Sequence, residues 1–398
     1  MKKFDKILTD LKEKSPLNYL YENGYTPDTI KQEIVTTLSP FFKNIDNLNE
    51  YAIKFLVSDW INFLKLKAFH SDAEHIISEI IAQYNKAKTR NDNLVFSVIN
   101  SLMPLQVDAG NKFWSFLKLE LDKSTLDFEE FVQTSMKDIS DLVEGLMKVL
   151  LYENLAIDRI NRNKTIEIDK IKSLDLGVIV EELATNSPFG QLFKIQPENL
   201  KLSDWRNIAA HHNHKLLRAN TILCEYGSKD NRKTIEVTKD ELYDRVGKIY
   251  YSLQLLNISQ KFFSFDNLKD IVNINPLLES NNGRDEIGFL MFASSVSSQG
   301  FEIESIDFKS GGGDAFMVIK DLTDGNPTSR GIHASQLVYP LWFIAESNTS
   351  TVEFKTKLGV TYLKATTTKE VCEKIKSGDK KLEYLADHVI FEFTKNGL

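Results

Sequence analysis

The segment SDWRNIAAHHNHKLL, Ser203–Leu217, places three of the chain's seven histidines within four positions, the first of them five residues after an arginine. Three readings compete: a metal site, a proton-transfer site, or an ordinary helical face carrying imidazoles. The apolar residues set the phase. At about 100° per residue, Ile208, Ala209, His212, Leu216 and Ala219 fall on the side of Trp205, as in a helix with one buried stripe. Asn207, His211, His214 and Arg218 fall on the opposite side, and Arg206 on the flank. The phase predicts a helix from near Ser203 through Leu217 and Ala219, with His212 in the core and His211 and His214 facing out.

Zinc needs three or four ligands. His211 and His214 supply two, no HExxH motif or cysteine lies beside them, and Arg218 on the same face repels a cation. No metal and no cofactor is expected. Phosphate chemistry suits the residues better. Histidine moves protons near neutral pH, and a guanidinium stabilises the extra negative charge of a pentacoordinate phosphorus. On a regular helix Arg206 and His211 stand about 140° apart, so two copies of the helix would be needed to close one site.

Outward from this segment the chain changes texture. Thr26-Pro27 opens a helix through Thr37, Tyr51–Leu66 has helical spacing, and Ser71-Asp72-Ala73-Glu74 reads as a capping box. A long helix is expected from about Asp127 to Ile160, with Met147 on its apolar stripe. Leu176–Ala184 is a shorter helix, ended by the turn-like Asn186–Gly190. ILCEYG and KTIEVT form a hairpin around 227–230. Thr238-Lys239-Asp240-Glu241 caps a further helix through about Phe263. Beyond Asn281, strand-like segments such as Phe301–Phe308 alternate with helices, Thr367 and Glu370 capping the last of these, and mainly antiparallel pairing is expected. Three domains follow: helical 1–120, a four-helix unit 121–265 with a short β insertion, and α+β 266–398. Lys309–Asp314 is glycine-rich but lacks a GK[ST] ending and a following helix, so it reads as a hairpin loop. The paired carboxylates Glu181-Glu182 and Asp138/Asp141 read as solvated helix faces.

Composition narrows the class. The chain has 56 acidic and 49 basic residues, a net charge of −7, which excludes a protein coated in basic surface but not one local cationic site. Two distant cysteines exclude a disulfide framework. The N-terminus lacks the apolar stretch of a signal peptide, and no apolar run reaches the roughly 18 residues of a membrane span. A soluble cytoplasmic protein without a membrane partner is expected.

Arg206-Asn207-Ile208-Ala209-Ala210-His211 resembles the Rx4-6H motif of the HEPN superfamily (higher eukaryotes and prokaryotes nucleotide-binding domains), including the polar residue directly after the arginine. The resemblance covers residues 125–265 and includes the FGQLF segment, Phe189–Phe193. It implies a mainly α protein in which an HEPN-like four-helix bundle is preceded by a helical domain and followed by a small α+β domain. It also implies a metal-independent endoribonuclease acting as a homodimer on RNA, leaving 2′,3′-cyclic phosphate and 5′-hydroxyl ends, as in toxins and anti-phage effectors. His211 would then transfer protons, Arg206 would stabilise the phosphate and Asn207 would support it, with His214 and Arg218 as further phosphate contacts. The appended domains would respond to a regulatory protein or a small-molecule signal. In one subgroup a tyrosine two residues after the motif histidine is modified; Asn213 stands there. Two alternatives are a non-catalytic HEPN scaffold in a larger assembly and a helical interaction protein in which Arg206 and His211 are only surface residues.

Overall fold

Local signals set several helix starts. Thr238 accepts from the Glu241 N–H, and the Glu241 carboxylate accepts from the Thr238 N–H, opening Lys239–Asp266. Asp127 accepts from the Glu130 N–H at 2.9 Å and opens Phe128–Leu142. Pro27–Leu38 begins at its proline, as expected. The expected box at Ser71–Glu74 is not made. Asp72 instead accepts from the Tyr251 hydroxyl at 2.9 Å, and Glu74 pairs with Lys67. Tyr51–Leu66 is not one helix either: Ile45–Phe55 and Val57–Phe69 meet at a break at Leu56.

The computed structural model describes residues 8–9, 16–117, 126–217, 220–228, 230–274, 285–308 and 313–394. It is mainly helical with small sheets. Its contacts divide it into two compact units, one of Met1–Thr37, Glu50–Val57 and Arg284–Leu398, the other of Leu38–Asn49 and Ser58–Gly283. The helices expected to form a separate domain over 1–120 are therefore shared between the two.

In the first unit, a five-stranded sheet runs in the order Ile390–Phe393, Thr361–Thr368, Thr349–Lys355, Ala315–Asp321, Phe301–Phe308. Pairing is antiparallel except between Ala315–Asp321 and Thr349–Lys355, which are parallel because the helices Pro327–Ala334 and Val338–Ala345 carry the chain back. The expectation of mainly antiparallel strands holds, but the helix Lys369–Lys376 has Thr368 at its N-cap without a side-chain cap bond, so the expected capping by Thr367 is not made. Phe289, Val296, Phe301, Met317, Leu341 and Phe354 form its apolar core with Leu8 from the start of the chain. Of the glycine-rich stretch read as a hairpin loop, 309–312 lie outside the described residues, and the flanking strands pair as Phe308↔Ala315.

In the second unit, the helix Lys148–Asn161 is almost entirely buried. Ala73–Arg90, Asp92–Leu117 and Leu176–Asn186 pack around it, and Lys239–Asp266 packs on Ala73–Arg90 and Phe128–Leu142. Removing such side chains as Leu151, Leu155 and Ile157 from water stabilises the unit by roughly 1.5–3 kcal/mol each. The buried Glu153 is satisfied in place: it accepts from Tyr84 at 2.9 Å and from Gln106 at 2.7 Å, and Gln260 donates to Tyr84 at 3.1 Å. Burial lifts the Glu153 carboxyl to a pKa of about 7.

The stretch expected as one helix over 127–160 is interrupted. Val143–Met147 forms a single π-helical turn in which Gly145 leaves helical geometry at φ −80, ψ −117. Met147 is buried, as its stripe predicts. Turns of this kind occur disproportionately beside functional residues.

Candidate functional site

The motif helix spans Leu202–Ala210. Asp204 in its first turn accepts from the Lys201 N–H at 3.2 Å, and burial raises the Asp204 pKa. The Lys201 ammonium pairs with Glu181. The loop before it is tied down by Arg245, 3% exposed, whose guanidinium grips both carboxylate oxygens of Glu198 at 2.9 and 2.7 Å. Leu202, Trp205, Ile208 and Ala209 are buried, and the helix packs on Phe128–Leu142.

The helix stops at Ala210, well short of Leu217. His212 adopts φ 53, its N–H reaches the Ala209 carbonyl at 3.4 Å, and the Asn213 N–H reaches that of Ile208 at 3.0 Å. These paired bonds are the Schellman closure, usually built on glycine in the left-handed position. Histidine is among the residues that tolerate that region. His214–Leu216 then leaves as a strand antiparallel to Thr221–Ser228, with His214 opposite Cys224, and Asn231–Thr238 completes the sheet. The expected hairpin is present, with this third strand added.

The histidines are accordingly redistributed. His212 is exposed, which overturns its placement in the core. His214 is half-buried rather than facing out on a helix, and burial lowers its pKa, with the Ile208 carbonyl opposing that shift and His212 adding to it. His211 caps the helix, its N–H donating to the Asn207 carbonyl at 3.2 Å. Its ring is exposed and has no hydrogen-bond or ion-pair partner among the described residues. Arg218 and Ala219 lie outside the described residues. No group of three or more His, Cys, Asp or Glu is arranged to hold a metal ion among the described residues.

Arg206 and Asn207 are joined directly, Nη1 donating to the Asn207 Oδ1 at 2.9 Å. The Arg206 Nε pairs with Glu144 of the π-turn, whose other oxygen accepts from Lys148 at 3.0 Å. The Arg206 side chain is 21% exposed. Glu144 is the site residue that helical periodicity hides. Its only signal is the glycine after it, Gly145, inside an otherwise regular amphipathic stretch. Two other carboxylates are not on solvated faces: Asp138 is buried, and Glu182 is held by Arg159 through two bonds of 3.1 and 2.6 Å. That arginine, helped by Arg162, keeps the Glu182 carboxyl at about 2, and burial only partly offsets the shift.

Chemically, the helix carries a largely covered guanidinium whose charge Glu144 balances, and it ends in an exposed imidazole. An anion entering here would compete with Glu144 for Arg206. Among the described residues no helix is long and apolar enough to cross a membrane. No protein-family model matches the chain, and neither a curated protein nor a solved structure matches it.

Proposed function

We propose that the second unit is a metal-independent endoribonuclease domain of the HEPN type, acting on RNA as a homodimer in the cytoplasm, in phage defence or growth arrest. The observation that carries this reading is that Arg206 and Asn207 lie on one nine-residue helix and His211 caps its end with its ring exposed. In the proposed reaction one His211 removes the proton of a ribose 2′-hydroxyl. The oxygen attacks the adjacent phosphorus, and the 5′-oxygen leaves with a proton returned by the second copy's histidine. Arg206 stabilises the extra negative charge in between, and Asn207 holds the guanidinium in place. His214 and Arg218 are proposed as contacts for flanking phosphates, and the other unit as the regulatory part.

The Arg206–Glu144 pair favours a second reading, a non-catalytic RNA-binding or dimerising scaffold, since it balances the charge that catalysis needs. Incubating the protein with RNA in EDTA separates the two. The nuclease reading expects cyclic-phosphate ends from wild type and a loss of roughly 100-fold or more in Arg206→Ala and His211→Ala. Equal cutting by the variants, or no cyclic-phosphate ends, refutes it.

A further inference from the structure

We infer that the first unit carries a binding site for a small organic anion with a flat body, centred on Arg330. A cavity of about 1050 Å³ opens there, walled in part by Tyr25, Lys54, Gln299, Arg330, His333 and Tyr339. It exceeds the roughly 300–1,000 Å³ common for small-molecule sites.

Arg330 is built into this wall. Its Nε donates to Asp321 at 2.5 Å, its Nη2 donates to the Gln299 carbonyl at 2.8 Å, and its Cζ lies 4.6 Å from the centre of the Phe301 ring. Asp321 is buried and is itself held by the Thr323 N–H and hydroxyl at 2.9 and 2.8 Å. Two glycines make room. A Cβ on Gly325 would fall 2.4 Å from the Arg330 Cδ, and one on Gly300 2.9 Å from Nη2. A guanidinium fixed on three sides loses little conformational freedom on meeting a ligand.

Those contacts occupy Nε and Nη2 and leave Nη1 without an acceptor among the described residues. Lys54 and His333 likewise have no carboxylate partner among the described residues. Of the acids on the same wall, Asp324 is held by Lys357 at 3.3 Å, which leaves Asp28 as the countercharge. Asp321 balances the Arg330 charge and Lys54 is the unpaired ammonium on the wall, so the ligand's charged end is an anion met by Lys54 and by Nη1, the charged donor left without an acceptor. The Gln299 Oε1 is buried with no hydrogen-bond partner and marks where a ligand donor would be satisfied. Tyr25, 44% exposed, and Tyr339 supply flat apolar faces.

Calorimetric titration of the full chain with AMP, nicotinate, adenosine and inorganic phosphate tests this. AMP carries phosphate on a ring body and nicotinate a carboxylate, so the pair separates the two anion types. At least one should bind with a Kd below about 1 mM, and adenosine and phosphate should each bind about tenfold or more weaker. Arg330→Gln should abolish binding but strips the buried Asp321 of its partner. Gly325→Ala, which displaces the guanidinium and keeps its charge, and Lys54→Gln, on the exposed rim, should each weaken binding at least several-fold in a folded protein. No binding by AMP or nicotinate, equal binding by adenosine, or affinities unchanged in both variants overturns the site. Binding lost only in Arg206→Ala assigns the anion to the other unit and overturns it too.

Discussion

The Tyr84 hydroxyl donates to Glu153 Oε1 at 2.9 Å inside the helical core of the second unit, where Gln106 holds the other carboxylate oxygen. No cation is among these partners, and burial therefore lifts the Glu153 pKa to about 7. The unfolded chain has an ordinary glutamate near 4.3. Between these values the folded state binds more protons than the unfolded one, so stability must fall as pH rises through that window and level off above it. The expected loss is up to about 3–4 kcal/mol. Urea unfolding from pH 4.5 to 8 measures it, and Glu153→Gln should flatten that slope.

His212→Gly should stabilise the protein by about 0.5–1 kcal/mol. The residue sits at φ 53 with an exposed ring, so glycine removes a left-handed penalty and forfeits no core contact. A core histidine would give the opposite sign. A rise in Tm of a few degrees or less decides it.

Glu144→Gln should cost no more than about 1 kcal/mol, because the pair with Arg206 is partly exposed. With the countercharge gone, a short RNA should bind about two- to tenfold tighter, on the order of one phosphate contact. Fluorescence anisotropy at fixed salt reads this. An unchanged affinity would mean that Arg206 serves the fold alone.

Cys224 and Cys372 should both resist alkylation in the folded protein and react fully in denaturant. Burial pushes their thiols up to about 12 and about 11, so almost no thiolate exists at pH 8. Thiol titration with and without guanidinium checks it.

Helix ends with a side-chain cap, such as those at Thr238 and Asp127, were legible because the signal is local. The alternation of Phe301–Phe308 likewise gave its strand. The end of the motif helix was not legible. Apolar phase continued through Leu216 by coincidence, while the bonds that stop the helix run through backbone groups at a position where glycine is the usual sign. Glu144 was hidden for a related reason, because a π-turn changes which side chains meet without changing composition. Arg206, Asn207 and His211 could be picked out through their resemblance to a known motif. Their partner could not, because it comes from a different helix.

The first unit is assembled from both ends of the sequence, with nearly all of the second inserted between. Tyr21 shows the dependence: its hydroxyl finds its acceptor, the Ser297 carbonyl, 276 residues later. On a ribosome adding about 5–20 residues per second, the early helices wait for tens of seconds before their strands exist. The inserted unit can close first, and a chain broken off near its end would carry early helices with apolar faces and nothing of their own to cover them. Translation arrest there should yield a species held by chaperones, with one unit finished and the other unable to begin.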